Sequence, residues 1–498
     1  MTKQSEFDKV LSSKDILVIA FGAMIGWGWV ISTGDWINRG GALGAAIGFV
    51  LGGIMIFFVG LTYAELTAAM PQCGGEHVFS YKAMGATGSF VCTWGIILGY
   101  VGVVCFEACA FPTIISYIFP GFLKGYLYTV AGFDVYASWL ALASVTAALM
   151  AFVNIMGAKT AAVVQTILTA IIFGVGVLLI GTSTVRGEMG NLMPQLFAGN
   201  GNQSMLSHVL HVAVMTPFFF IGFDVIPQAA EEIQGSLKKI GKILIMSIVM
   251  AVAFYSLVIL AVGYMMSSTE IKASMSGAGL VTADAMAKAY GTKKMADVVI
   301  IGGLCGIVTS WNSFMIGGSR AMYSMADSNM IPKAFAKLHP KYKTPVNALL
   351  LIGVISMLAP LAGRQMLVWI CDAGNLGCCL AYCMVSISFL ILRRKEPDMP
   401  RPYRVKHYKF VGIMATVLSG GMVSMYLIPG SGSTLAVQEW LMAGSWVLMG
   451  AIFFVINKKK YGEQFGKHLD IAVEYSVEDL EALRTHSEVR SVNEIRVS

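Results

Sequence analysis

Long apolar blocks alternate with short polar connections along almost the whole chain. Twelve blocks fall at about 16–38, 41–65, 89–119, 135–156, 160–182, 206–232, 240–266, 296–326, 346–362, 366–392, 410–429 and 437–457. Each can cross roughly 30 Å of hydrocarbon as an α-helix. Short connections make successive blocks antiparallel neighbours. The pattern therefore predicts an all-α membrane protein with twelve transmembrane helices.

Composition and charge agree with a chain whose main partner is the lipid bilayer. Hydrophobic residues make up 56% of the chain and charged residues 13%, whereas soluble domains carry about 25% charged residues. The net charge of +7 comes from Lys and Arg between the blocks, where they act as topology signals. We therefore expect no nucleic-acid partner. Nine cysteines without a CxxC spacing indicate small packing residues in a reduced setting, and no metal site.

The distribution of basic residues predicts the orientation of the chain. With a cytoplasmic N-terminus, the inside receives the groups around 238–242, 333–343, 393–404 and 458–460, and the outside receives few basic residues. We expect a multi-pass protein of a plasma membrane of the bacterial inner-membrane type, with both termini cytoplasmic. Residues 1–14 and 458–498 would be cytosolic segments flanking a transport domain at 15–457. Ser476 and Asp479 form a capping-box pattern that predicts a short helix at 477–485.

Two blocks contain residues that weaken a helix at mid-membrane depth. The first reads AFGAMIGWGWV, with Gly22, Gly26 and Gly28, and the sixth reads MTPFFFIGFDVIP, with Pro217, Gly222 and Pro227. A break in lipid leaves backbone groups unsatisfied, so a break must face a cavity. The tripeptide Ile25-Gly26-Trp27 in the first block matches Ile221-Gly222-Phe223 in the sixth. Interrupted helices at corresponding positions of two halves predict the binding site of a secondary transporter.

The chemistry of such breaks suits a small zwitterion. Half-helix N-termini present free N–H groups and a partial positive charge, which bind a carboxylate. Half-helix C-termini present free C=O groups, which bind an ammonium. Gly26 and Gly28 keep the backbone bare, so that a ligand can approach it. An amino acid has both charges at a suitable separation.

Three acids lie inside apolar blocks without a base at comparable depth, apart from Arg320 near a block end. They are Glu107, Asp224 and Asp372. An intramembrane carboxyl is a functional candidate by default, and the alternative is a protonated acid bonded to a neighbouring helix. A substrate amine or a proton would complete the set. The histidines His208 and His211 fit an interfacial position or a proton relay. The aromatic residues beside the breaks fit either packing or a lid over the substrate.

Other function classes find little support in the sequence. The segment GSLKKIGKI at 235–243 has the wrong spacing for a P-loop, which argues against ATP-driven transport. A membrane enzyme or a sensor would need a catalytic cluster or a sizeable cytosolic domain. The sequence shows neither, because no catalytic order of residues stands out. A channel would show a continuous polar stripe, whereas these helices show isolated acids. We expect no cofactor, no catalytic residue and no enzymatic activity.

Five motifs resemble the amino acid–polyamine–organocation superfamily of permeases over roughly residues 10–460. They are GAMIGWGWV, AELTAAMPQCGGEHVFSYKAMG, FFFIGFDVIPQAAEEI, RAMYSMADSNMIPKAF and HPKYKTPVNA. The resemblance implies a five-plus-five inverted repeat of the LeuT type, with the first and sixth helices broken, plus two extra helices. It also implies uptake or exchange of amino acids or related amines without ATP. The site would lie between helices 1, 3, 6, 8 and 10.

The resemblance also implies individual roles at the site. The backbone N–H groups of Ile25, Gly26, Trp27 and Gly28 would bind the substrate carboxylate. The C=O groups of Ile221 and Gly222 would face the amine. Phe218 falls at an aromatic gate, while Glu107 and Phe314 fall on the faces that line the side-chain pocket. Glu107 and Asp224 are the candidates for proton coupling.

Two departures from the family pattern leave the substrate and the coupling ion open. Trp27 stands where the family commonly has Ser or Thr, and Ile172 stands where some proton-coupled members have Lys. Thr309, Ser310 and Ser313 could supply oxygens for Na⁺, but such hydroxyls more often bond their own backbone. The leading prediction is an amino acid or amine permease that is proton-coupled or an exchanger, with Na⁺ the less favoured ion. The alternative is a transporter specific for amines or polyamines, in which Glu107 binds the cationic group.

Overall fold

The computed structural model describes residues 6–130, 133–193, 196–197, 205–276, 280–363, 366–429, 434–467, 473 and 475–485. Helices dominate this part of the chain. They are α1 Ser13–Met24, α2 Gly28–Ile31, α3 Thr33–Gly40, α4 Ala42–Ala69, α5 Glu76–Ile118, α6 Ala137–Ile155, α7 Ala158–Arg186, α8 Met189–Leu192, α9 Met205–Phe220, α10 Val225–Gln228, α11 Leu237–Met265, α12 Ser268–Ser276, α13 Val281–Tyr290, α14 Lys294–Asp327, α15 Val346–Leu358, α16 Met366–Lys395, α17 Tyr408–Leu427, α18 Val437–Tyr461 and α19 Val477–Thr485. Short 3₁₀ turns lie at Pro120–Phe122, Ala230–Glu232, Lys333–Ala336, Ala359–Ala362 and Gly462–Gln464.

The membrane spans follow the predicted blocks closely. In the described part of the chain, eleven helical segments are long and apolar enough to cross a membrane, and the segment Val346–Ala362 is apolar but shorter. The all-α membrane fold is therefore confirmed, whereas the count of twelve stays a prediction. The span that contains α5 begins at Glu76, well before the predicted start at 89. Its backbone departs from helical angles at Gly85, where φ is 77°.

Both predicted helix breaks are present. The first block divides into α1 and α2, with residues 25–27 between them, and the sixth divides into α9 and α10, with residues 221–224 between them. Glycines in the second block serve helix packing. A methyl group added at Gly48 would lie 2.9 Å from Cβ of Val212, and one added at Gly52 would overlap the Thr216 side chain. These glycines therefore let α4 approach α9 closely.

A β-hairpin that the apolar pattern did not predict follows α5. Strand β1, Tyr126–Val130, pairs antiparallel with strand β2, Phe133–Tyr136. The segment YLYTV is rich in aromatic and β-branched residues, which favour a strand. The Tyr128 hydroxyl donates to the main-chain oxygen of Leu361 at 2.6 Å. The hairpin is thereby attached to the segment between α15 and α16.

The first and last described segments meet on one side of the molecule, which we call the terminal face. The N–H groups of Val10 and Leu11 donate to the Glu232 oxygen, each at 2.9 Å, and the Gln234 N–H donates to the Leu11 oxygen at 2.8 Å. The predicted helix at 477–485 is present as α19, and the capping box of Ser476 and Asp479 is formed. Residues 1–5 and 486–498 lie outside the described part of the chain.

Asp479 attaches α19 to the start of α11. Its side chain is fully buried. It accepts hydrogen bonds from Ser236 Oγ at 2.8 Å, from the Leu237 N–H at 3.1 Å and from the Lys238 N–H at 2.9 Å. One carboxylate thus satisfies N–H groups at the N-terminus of a membrane-spanning helix, as a capping residue does. The loop at 233–236 therefore contacts both the first described segment, through Leu11, and the last, through Asp479.

Candidate functional site

The first break leaves carbonyl oxygens at the end of α1 that other helices satisfy. The Tyr255 hydroxyl of α11 donates to the Met24 oxygen at 2.8 Å. From α14, Thr309 Oγ1 donates to the Gly22 oxygen at 3.0 Å, and Ser313 Oγ adds a bond to the Ile19 oxygen, one turn further inside α1, at 3.1 Å. The last carbonyls of a helix have no partner within it. Side chains from α11 and α14 therefore stabilise the interrupted helix.

The second break turns at Gly222, whose φ of 137° favours glycine. The Gly222 N–H donates to Asp224 Oδ1 at 2.8 Å. The two breaks touch: a methyl group added at Gly222 would lie 2.6 Å from Cβ of Ala23 and 2.9 Å from the nitrogen of Met24. The absence of a side chain at Gly222 therefore allows the breaks to pack against each other.

A cavity of about 710 Å³ extends from the two breaks to the protein surface. It reaches the exposed residues Arg39 and Phe133, on the side opposite the terminal face. Seven of the residues predicted for the site line it, namely Gly26, Trp27, Gly28, Glu107, Phe218, Ile221 and Phe314. Ile25, Gly222 and Asp224 are not among its lining residues. The structure thus brings together most of the predicted site, and it shows two of the exceptions, Gly222 and Asp224, within the second break itself.

Glu107 is the principal acidic group in the wall of this cavity. Its side chain is only 2% exposed, and in the described part of the chain Oε2 has no hydrogen-bond partner. Its Oε1 lies 3.2 Å from the position that a methyl group on Gly26 would take, and Ser310 Oγ lies 3.6 Å from that position. A buried carboxylate oxygen without a partner is costly unless a ligand or a proton satisfies it. Glu107 is therefore placed to bind a group that approaches the first break.

The indole of Trp27 packs against α14 beside the cavity. A methyl group added at Gly303 would clash with the six-membered ring of Trp27. Gly303 therefore makes room for the indole of Trp27. The ring remains part of the cavity wall. A large side chain at position 27 is thus compatible with an open space in front of Gly26.

Aromatic side chains form the wall next to the second break. The Phe218 ring is half-buried and packs against Phe106 in an edge-on arrangement, with centroids 5.9 Å apart. It also packs on Phe219 at 5.3 Å. The Phe219 ring crosses the first break so closely that a methyl group on Gly28 would lie 2.5 Å from it. Phe218 thus lies in the cavity wall beside both breaks, and its role as a gate stays a prediction.

A second acid, Asp372, also lines the cavity. It lies on α16 and faces Glu439 of α18. Glu439 is buried, and one of its oxygens accepts the Ala436 N–H at 2.7 Å. The cavity wall therefore carries two carboxyl groups, Glu107 and Asp372, and one basic residue, Arg39, at its exposed end.

Several contributors were not singled out from the sequence. Tyr255 and Phe106 line the cavity. Gln165 of α7 lies beside the first break, with Nε2 donating to Ser313 Oγ at 3.0 Å and Oε1 accepting from Asn312 Nδ2 at 2.9 Å. Single amides and aromatics in apolar helices are common, so the sequence pattern could not distinguish these positions. His208, by contrast, is hydrogen-bonded to the main-chain oxygen of Arg39 at 3.1 Å, which fits an interfacial position.

The terminal face is closed by buried polar contacts. Arg320 of α14 donates from Nε to Glu232 Oε1 at 2.7 Å and from Nη2 to Oε2 at 3.2 Å, and both side chains are buried. The Phe7 ring packs edge-on against Tyr323, with centroids 4.9 Å apart. The residues that line the cavity do not include any of these four. The cavity is thus accessible from one side of the molecule and separated from the other.

Comparison with known proteins agrees with this architecture. A family model described as "Amino acid permease" matches residues 11–453. The branched-chain amino acid permease BcaP of Bacillus subtilis (strain 168) is 25% identical, with 92% of this chain and 95% of that protein covered. The methylthioribose transporter of the same organism is 24% identical, with the same coverage. Its aspartate-proton symporter is 25% identical, with 92% of this chain and 85% of that protein covered.

Proposed function

Because this chain belongs to the amino acid permease family, we propose that it carries amino acids or related small amines across a membrane by alternating access. It would either couple this movement to protons rather than to Na⁺, or act as an exchanger. The protein is a multi-pass membrane protein and a secondary transporter of amino acids. We assign it no enzymatic activity.

One observation carries the proposal. Oε2 of Glu107 is buried without a partner in the wall of a cavity that begins at the two helix breaks. The ammonium of a substrate would satisfy this oxygen through a charge-assisted hydrogen bond. The bare backbone at Gly26 allows the substrate to approach that carboxyl closely. Binding energy would thus come from a group that is otherwise unsatisfied.

The backbone at the breaks would bind the other end of the substrate. The N–H groups that begin the second half of the broken helix, from Gly26 to Gly28, suit a carboxylate. Ile221 lines the cavity and would offer its C=O group to an amine. Gly222 would contribute less directly, because its C=O already accepts the Val225 N–H at 3.2 Å. Phe218 and Phe314 would enclose the substrate side chain.

The alternative substrate class is an amine or polyamine without a carboxylate. The second acid in the cavity wall, Asp372, favours it, because a molecule with two cationic groups could pair with both carboxyls. An amino acid would bind its carboxylate to the backbone N–H groups at Gly26–Gly28, whereas an amine has no carboxylate to bind there. A carboxylate-free analogue therefore separates the two classes.

Contacts around the first break favour protons over Na⁺. Thr309 and Ser313 donate their hydroxyl hydrogens to α1 carbonyls, and the Gln165 amide group fills the adjacent space, since a methyl group on Gly22 would lie 2.5 Å from its Nε2. Two of the three hydroxyls that could bind Na⁺, those of Thr309 and Ser313, are therefore engaged with α1 carbonyls. One relative is named an aspartate-proton symporter. Uptake should be equal in sodium and choline buffers.

The orientation completes the proposal. The terminal face would be cytoplasmic and the cavity would open outward, in the plasma membrane of a bacterial inner-membrane type. Residues 1–14 and 458–498 would be cytosolic, and 15–457 would form the transport domain. The described conformation would then be the outward-open state of an alternating-access cycle.

A thermal-shift screen tests the function. Purified protein is heated with single amino acids and with their decarboxylated amines at two pH values, and a ligand raises the melting temperature by mass action. We expect stabilisation by a restricted set of either class, and its loss or altered selectivity in Glu107→Gln. Stabilisation that is identical in the wild type and in Glu107→Gln would overturn the role of Glu107. The variant Glu188→Gln, outside the cavity, is the matched control.

A further inference from the structure

A second pair of buried carboxyls lies outside the substrate cavity. Glu76, at the start of α5, and Asp224, in the second break, are both fully buried, and neither lines the cavity. Gln228 Nε2 donates to Glu76 Oε2. The Tyr100 hydroxyl donates to Asp224 Oδ2 at 2.8 Å. Asp224 directly precedes α10 and Gln228 ends it, so one helical turn separates Asp224 from the residue that donates to Glu76.

The groups around this pair are neutral. Those that face it from the neighbouring helices are Tyr63 of α4, Cys92 and Tyr100 of α5, Gln228 of α10, and Cys378 and Tyr382 of α16. His77, the next residue in the chain, is bonded to Ser89 at 2.8 Å and to Ser328 at 2.9 Å instead. Among the described residues, Glu76 Oε1 and Gln228 Oε1 are buried with no hydrogen-bond partner.

The surroundings of each carboxyl favour its ionised form, but the two carboxyls cannot both be ionised at once. Glu76 begins a long helix, whose N-terminus favours an anion, and Asp224 accepts two hydrogen bonds. Two negative charges in one buried cluster repel strongly in the absence of a cation, so such pairs share a proton. The unpartnered oxygen of Glu76 is an available position for that proton. One exchangeable proton shared by the two carboxyls would relieve this repulsion.

The pair joins an element that moves during transport to one that supports it. Asp224 and Gln228 belong to the broken sixth span, whereas Glu76 belongs to the third. Broken spans rearrange when a transporter of this kind changes its accessible side. We propose that Glu76, which accepts from Gln228, and Asp224 are together the site of the coupled proton, separate from Glu107 in the substrate cavity. This inference rests on the proposed function.

The proton step involves one O–H bond only. In the described state the proton is bound to one oxygen of the pair, and the other carboxyl accepts hydrogen bonds as an anion. Rearrangement of the second break separates Asp224 from Glu76 and admits water, which accepts the proton. The pair then recovers a proton from the other side. Glu107 stays available for the substrate amine throughout.

Infrared titration of purified protein tests the site without a substrate. The C=O stretch of a protonated carboxyl is followed against pH in the wild type, Glu76→Gln, Asp224→Asn and Glu107→Gln. Because coupled groups titrate as a pair, both Glu76→Gln and Asp224→Asn should abolish or shift the same band, and Glu107→Gln should leave it unchanged. A band that is unchanged in Glu76→Gln or in Asp224→Asn, or that changes in Glu107→Gln, overturns the proposal. The variant Tyr100→Phe keeps both carboxyls and should shift the midpoint of this band.

Proteoliposomes then separate this inference from the proposed function. The substrate found in the thermal-shift screen is added outside, and internal pH is followed with a trapped dye. In Glu76→Gln, we expect substrate-driven proton movement to fall to the level of protein-free liposomes while counterflow exchange persists. Proton movement that persists in Glu76→Gln and in Asp224→Asn overturns the pair as the coupling site. A wild type that exchanges neither amino acids nor amines would instead overturn the proposed function, whatever the infrared result.

Discussion

Tyr255 of α11 donates a hydrogen bond from its hydroxyl to the main-chain oxygen of Met24, the last residue of α1, at 2.8 Å. Tyr255 also lines the cavity, so it couples the end of a broken helix to the substrate space. The change Tyr255→Phe leaves a buried carbonyl unsatisfied, at a cost of about 1–3 kcal/mol. We expect a lower melting temperature and weaker binding of the substrate that the thermal-shift screen identifies.

Tyr126→Phe is the matched control for this change. Tyr126 lies in the hairpin and is 58% exposed, with its hydroxyl bonded to the exposed Thr129. Exposed hydrogen bonds of this kind exchange with water at little net cost. If Tyr255→Phe melts and binds as Tyr126→Phe does, the Met24 contact has no energetic role.

Gly222 should not tolerate a side chain. The change Gly222→Ala places a methyl group 2.6 Å from Ala23 at a residue with φ of 137°. Backbone strain costs about 1–3 kcal/mol, and overpacking adds about 1–3 kcal/mol. We expect a marked fall in melting temperature. Gly174→Ala is the control, because a methyl group at this exposed position in α7 meets no atom within 4 Å. Equal melting of the two variants would contradict the close contact between the breaks.

The ion pair of Arg320 and Glu232 should keep the terminal face closed. The change Glu232→Gln leaves a buried guanidinium without its counter-charge, which costs about 3–5 kcal/mol. Cys73 reports the result, since its Sγ lies 3.8 Å from the Arg320 oxygen. Burial raises the pKa of the Cys73 thiol well above its usual value, and nearby Glu231 and Glu232 raise it further. The thiol should therefore react slowly with maleimide until the face opens, and faster in Glu232→Gln.

Glu478→Gln provides the comparison for the buried pair. Glu478 pairs with Lys239 at 2.9 Å on the same face, but the two side chains are 34% and 56% exposed. Exposed pairs contribute about 0–1 kcal/mol, so this variant should label at the wild-type rate. Mass spectrometry locates the label on Cys73. If Cys73 still reacts slowly in Glu232→Gln, the ion pair does not hold the face closed.

Asp479 should hold α19 on α11. The change Asp479→Ala removes the acceptor for Ser236, Leu237 and Lys238. Local opening of α19 should then become easier by about 1–3 kcal/mol. We expect trypsin to cut at Arg484 faster than in the wild type. Glu481→Ala, at an exposed position of the same helix, should leave the rate unchanged, and equal cleavage of both variants would contradict the docking role.

The helix breaks were predictable because their cause is local. Gly22, Gly26 and Gly28 weaken the first span by their own backbone freedom, and the structure ends α1 at Met24 and begins α2 at Gly28. Glu107 was likewise predictable as an isolated acid in an apolar block. The family motifs added Phe218, Ile221 and Phe314, and all three line the cavity.

The remaining features depend on contacts between distant parts of the chain. The sequence could not show that Asp224 turns toward Tyr100 rather than toward the cavity, because this depends on how α5 packs against the sixth span. Gln165 is one amide among apolar residues until α14 brings Asn312 and Ser313 to it. The hairpin was missed because its two short strands are stable only when paired.

The loop at 233–236 has a consequence for how the protein is made. Ribosomes release the N-terminal segment around Leu11 first, and the loop follows near the middle of the chain. Asp479 leaves the ribosome only after the last described span, Val437–Gln464, yet it caps the helix that begins directly after this loop. The terminal face can therefore be completed only after nearly all the membrane spans have been inserted. A nascent chain that ends before Asp479 would have this loop anchored only by the segment around Leu11.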